Sequence, residues 1–81
     1  MVLGMSTQTY SQRVAGEVRA ELARQGKTAN DMAVWLGVSR PTARSRYSGE
    51  TTYQLDELVT LSSRLNAPLG RLLLLAPAPT P

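Results

Sequence analysis

The sequence predicts an all-α domain of five short helices. Three observations carry this reading. Apolar residues recur at spacings of three and four through most of the chain, and no segment alternates apolar with polar residues as a half-buried strand would. Helix-ending residues close the apolar stretches at Gly26, Gly37, Gly49 and Asn66, and Thr28 and Ser39 stand where new helices need an N-terminal cap. Hydrophobic residues make up 42% of the 81 residues, which suffices for one small core and leaves no room for a second domain.

Tyr10, Val14, Val18 and Leu22 follow one another at spacings of four, with Ala15 beside them. This predicts an amphipathic helix over about residues 10–25, with Arg13, Glu17, Glu21, Arg24 and Gln25 on its wet side and Gly26 as its stop. Thr28 opens a second helix by capping the N–H of Asp31. Met32, Ala33 and Leu36 form its inner stripe, Gly37 makes a sharp left-handed turn and Val38 plugs the angle. Ser39 caps a third helix that carries Arg40 and Pro41 in its first turn and runs to Ser48, with Gly49 as its stop. Ala43 and Tyr47 face inward there, whereas Arg40, Pro41, Arg44, Ser45 and Ser48 face outward.

After a loop over residues 50–54, Leu55, Leu58, Val59, Ser62 and Leu65 mark a fourth helix that ends at Asn66. Pro68 opens a fifth that reaches Leu75, with Leu69, Leu72 and Leu73 facing in and Leu74 and Leu75 left over. The domain therefore spans 9–75, between a flexible start over 1–8 and a Pro-rich, extended tail over 76–81.

Composition narrows the function. The chain contains neither Cys nor His, which excludes a disulfide framework, thiolate or imidazole metal ligation, and catalysis through either side chain. Its six carboxylates show no spacing suited to acid–base pairs or metal binding. No enzyme activity, cofactor, metal or small-molecule substrate is therefore expected. The longest apolar run, from Leu72 to Pro77, is far shorter than the roughly 20 residues that span a bilayer. The start lacks the basic and apolar regions of a signal peptide, so a soluble cytoplasmic protein is expected. The net charge of +3 is unevenly placed: residues 1–23 sum to zero, residues 24–49 to +4 and residues 50–81 to −1. A basic middle third attracts phosphate backbones.

The two middle helices, joined across Gly37-Val38-Ser39, have the spacing of a helix-turn-helix. Small Ala33 permits a close crossing, and the second helix is polar outside, as entry into a major groove requires. The run from Lys27 to Thr42 (KTANDMAVWLGVSRPT) resembles the XRE/Cro family of phage-repressor-type proteins. So do the continuation from Gly49 to Leu58 and the Leu65-Asn66 ending, and the likeness covers about residues 10–75. The resemblance implies a compact five-helix lambda-repressor-like fold, double-stranded DNA as partner, and regulation of transcription by a protein that is often a dimer.

Carried over by position, the family's base-reading sites fall on Arg40, Pro41 and Ser45, with Arg44 beside them. Its backbone-clamping sites fall on Thr28, Ala29, Ser39, Ser48 and the loop after Gly49. Two positions depart from the pattern. Ala29 stands where the family often has a phosphate-clamping Gln, and Pro41 can offer only apolar contact, such as to a thymine methyl.

Some residues keep two readings. Arg46 reaches DNA or pairs with Asp31, Glu50 or another acid; Asn30 touches phosphate or is solvated. Trp35, beside Val34, covers the core edge or meets a partner or DNA, and Tyr53 staples the fourth helix or offers its hydroxyl to phosphate. Leu74 and Leu75 tuck into the domain or form a weak homodimer contact. The expected function is a Cro-like or immunity repressor of phage type that occupies a pseudo-palindromic operator. The alternatives are an antitoxin or recombination directionality factor of the same fold, or a protein–protein adaptor.

Overall fold

The computed structural model describes residues 8–75. Over these the chain forms five helices and no strand: α1 (Tyr10–Arg24), α2 (Ala29–Leu36), α3 (Arg40–Ser48), α4 (Leu55–Leu65) and α5 (Leu69–Leu72). The expected flexible start lies outside the described residues except for exposed Gln8, and the expected tail over 76–81 lies wholly outside them.

Local chemistry explains the boundaries. Thr9 opens α1 with a reciprocal cap: its hydroxyl accepts the Gln12 N–H at 3.1 Å, and the Gln12 side chain accepts the Thr9 N–H at 2.9 Å. Thr28 and Asp31 repeat the device on α2, at 3.3 and 2.8 Å. At the other end of α2, Gly37 adopts φ +68°, which returns the Val38 N–H to the carbonyl of Ala33 at 3.1 Å. The left-handed backbone turns the chain sharply, so that α3 packs directly on α2.

One core unites the helices. Val14, Ala15, Val18 and Leu22 from α1 meet Met32 and Ala33 from α2, Ala43 from α3, Leu58, Leu61 and Leu65 from α4, and Leu72 from α5. Tyr53 is also buried, and its hydroxyl donates to the Met32 sulfur at 3.3 Å. It precedes the α4 cap and stands five residues before Leu58, the stapling position. Burial pushes its phenol well above the ordinary range. Trp35 covers the core edge, whereas Val34 is exposed.

The structure corrects the sequence reading at four places. Tyr10 is not core: its ring is half exposed, and its hydroxyl donates to the Leu73 carbonyl. Glu21 is not on the wet side but 5% exposed. Arg71 and Arg24 each donate to its carboxylate at 2.5 Å and Gln25 at 2.8 Å, so burial does not leave the charge unpaired. In α4 the inward stripe is Leu58, Leu61 and Leu65, while Leu55 and Val59 are exposed on its flank. Finally, α5 stops at Leu72. Leu74 takes φ +60°, and the Leu75 N–H turns back to the Gly70 carbonyl at 2.9 Å. This left-handed turn costs a bulky residue about 1–2 kcal/mol. It folds Leu74 onto the core and leaves Leu75 exposed.

The buried carboxylate gives the fold a pH dependence. The Arg71 hydrogen bond, then those of Gln25 and Arg24, outweigh burial and hold Glu21 at about 2 instead of 4.5. A depressed folded value contributes stability that is fully present above the unfolded value, near 4.5, and is lost as pH falls toward 2. Wild type is therefore expected to lose stability between those limits, and Glu21→Gln to show a shallower acid limb from a lower plateau. Denaturant midpoints measured across pH 2–7 check this; identical acid limbs would show that Glu21 does not supply it.

Candidate nucleic-acid interface

The candidate surface is the outer face of α3. Its Ser39 cap accepts the Thr42 N–H at 3.3 Å, and Pro41 lies in the first turn, where no N–H is needed. Gly49 ends the helix at φ +91°, so a larger residue at this turn would be strained by its backbone conformation.

Three contacts brace α3 from behind. Ala43 is buried in the core. Arg19 of α1 donates to the Tyr47 carbonyl at 2.6 Å, near the α3 terminus, with its guanidinium 5.9 Å from the centre of the Tyr47 ring. Arg46 pairs with Glu57 of α4 through Nε–Oε1 at 2.8 Å and Nη2–Oε2 at 3.2 Å. The open choice at Arg46 thus falls to an acid, and that acid is Glu57. The Glu57 hydrogen bond raises the Arg46 pKa further. Both side chains line a polar concavity of about 380 Å³ beside the α2–α3 turn, with Leu36, Val38 and Asp56 among its walls.

The outward residues divide into two groups. Arg40, Pro41 and Arg44 are exposed, and among the described residues neither arginine meets a carboxylate or another hydrogen-bond partner. The two serines are engaged in the α3 terminus itself. Ser45 is half-buried, with its hydroxyl 2.6 Å from that of Thr51 and 3.4 Å from the Glu50 carboxylate. Exposed Ser48 donates to the Ser45 carbonyl at 3.2 Å and accepts the Glu50 N–H at 3.4 Å.

Thr28 and Ser39 are exposed at the starts of α2 and α3, with their hydroxyls held in the caps. Ala29 is half-buried and Asn30 exposed. The sequence reading missed two features. Lys27 is an exposed cation immediately before the α2 cap, a position legible from its neighbour Thr28. Arg19 was legible only as a charge, because the carbonyl it grips is 28 residues away.

The surface is thus a rigid helix with two uncommitted guanidinium groups, one turn apart, beside an apolar ring. Such groups suit planar acceptors, namely phosphates and the edges of bases, and offer nothing for covalent chemistry. No helix among the described residues is long and apolar enough to cross a membrane. Comparison of the chain with protein-family models, with curated proteins and with solved structures returns no match.

Proposed function

We propose that the chain is a sequence-specific double-stranded DNA-binding regulator of transcription. In this reading α2 and α3 are a helix-turn-helix in a lambda-repressor-like domain, and α3 enters the major groove. The protein acts in the cytoplasm as a Cro-like or immunity repressor, by occupying its operator. The observation that carries the reading is the uncommitted pair Arg40 and Arg44 on a helix whose remaining arginine, Arg46, is held by Glu57. The α3 start, at Ser39, has no acidic residue in its first turn and suits a backbone phosphate, which favours helix N-termini.

A reader of this size reaches two half-sites by pairing with a second copy across a pseudo-palindrome, with half-sites about 34 Å apart. Exposed Leu75, rather than Leu74, is the member of the leucine pair left to contribute to that contact.

The experiment is a binding titration on duplex DNA against salt, followed by footprinting on the source genome. A steep loss of affinity with rising salt is expected, as phosphate contacts release counterions. A footprint of two half-sites one helical turn apart is expected with it. Arg40→Ala and Arg44→Ala are each expected to weaken specific binding by roughly 1–3 kcal/mol with the fold intact. Salt-independent binding, or operator affinity unchanged in both variants, would overturn the reading.

A further inference from the structure

We infer that the target half-site carries two G·C pairs separated by one base pair, their guanine edges read by Arg40 and Arg44, with a thymine methyl alongside for Pro41. This rests on the reading of α3 as the groove helix and goes beyond it by naming the bases.

The outer face of α3 offers few free donors. A serine hydroxyl has one proton to donate. That of Ser48 goes to the Ser45 carbonyl, and the hydroxyl of Ser45 is tied to Thr51 and Glu50. Both serines therefore hold the helix terminus and its following loop together, and using either on a base would open that turn. Arg40 and Arg44 each bring five donors and no acceptor, and none of these donors is engaged among the described residues. Pro41 brings none and presents an exposed apolar ring.

Chemistry then selects the bases. A guanidinium fork needs two neighbouring acceptors, and in the major groove only guanine offers them, at O6 and N7. The exposed N4 or N6 amino groups of cytosine and adenine would face it donor to donor. The apolar ring of Pro41 suits the one apolar group in that groove, the C5 methyl of thymine.

Helix geometry sets the spacing. Residues four apart lie about 6 Å apart along an α-helix, on nearly the same face. Successive bases rise about 3.4 Å. With α3 laid along the run of base pairs, the two forks therefore meet base pairs about two steps apart, with one pair between them. Arg46, Tyr47 and Ala43 anchor the opposite face of the helix, so α3 cannot roll to bring a different pair of residues forward.

The test selects binding sites for the unaltered chain from a random duplex library. It then repeats the titration on the selected site with single-atom changes: 7-deazaguanine, which lacks N7, at each guanine, and uracil, which lacks the methyl, at the thymine. Arg40→Ala and Arg44→Ala, checked for folding by circular dichroism, are titrated on the same set. Enrichment of two guanines with one pair between them is expected. Each 7-deazaguanine should weaken the wild-type complex roughly 5- to 100-fold, and should add nothing in the variant that lacks its arginine.

Enrichment of A·T pairs alone, guanines at another spacing, or analogues that weaken both variants as much as wild type would overturn the inference. A chain that binds every duplex with a steep salt dependence and enriches no sequence overturns it too, while leaving DNA binding itself intact. A chain that binds no duplex even at low salt overturns the DNA-binding reading as well.

Discussion

Leu61→Ala is expected to leave the domain largely unfolded at physiological temperature. Leu61 is fully buried at the middle of α4, where that helix meets the core formed by α1, α2 and α5. Truncating a buried leucine removes its transfer free energy and leaves a cavity, together about 2–5 kcal/mol. A core of this size, with no disulfide or metal, supplies only about 3–5 kcal/mol in total. Leu55→Ala and Val59→Ala are expected to change stability by less than about 0.5 kcal/mol, because both side chains already face solvent. Thermal melts of the three variants check the contrast. Equal losses at positions 55, 59 and 61 would mean that α4 is rotated from the orientation described.

The same contrast shows what the sequence could and could not convey. The start of α2, the α2–α3 turn and the limits of α3 were legible because capping is local chemistry: Thr28 with Asp31, Ser39 ahead of Pro41, and Gly37 are each interpretable from their immediate neighbours. The outward placement of Arg40, Pro41 and Arg44 followed from those limits. Helical phase in α4 was harder. Leu55, Leu58, Leu61 and Leu65, with Val59, cover more than half of the circumference, and spacing alone does not say which flank packs. The partner helices decide it, and they turn Leu55 and Val59 outward.

Glu21 was unreadable for a related reason. A glutamate on the edge of a helix stripe is ordinarily solvated, and what permits its burial is Arg71, 50 residues away in sequence. Leu74 shows the reverse case. An apolar run suggests continued helix, but the positive φ at Leu74 ends it early and turns that leucine onto the core. Within the candidate surface, sequence could place Ser45 and Ser48 on α3 but could not show that their hydroxyls were already engaged by the loop that follows.

The second large effect concerns the ion pair behind α3. Arg46 and Glu57 are each only 12% exposed at the side chain and meet through two hydrogen bonds. Burial pushes the Glu57 carboxyl up, yet the Arg46 hydrogen bond, the Gln54 N–H and the positive charge together hold it below its ordinary value. Arg46→Ala strands that carboxylate where water reaches it poorly, and about 3 kcal/mol of stability should be lost, the low end of the range for a broken buried pair. Arg46→Met combined with Glu57→Leu removes both charges and keeps the volume but also loses the bond from the Gln54 N–H, so it should be destabilised by about 1 kcal/mol, clearly less than Arg46→Ala. Because Glu57 is depressed when folded, the contribution of the pair is present above the ordinary carboxylate value and fades as pH falls through the lowered one. Wild type and Arg46→Ala should therefore converge in acid, whereas the double variant should keep more of its stability there. Urea unfolding of all three at neutral and acid pH measures this. A loss below about 1 kcal/mol in Arg46→Ala at neutral pH, or a double variant as unstable as the single one, would show that the pair does not restrain α3. In the DNA-binding reading proposed above, the folded double variant should retain the affinity assigned to Arg40 and Arg44, because its apolar pair would still hold the helix against α4.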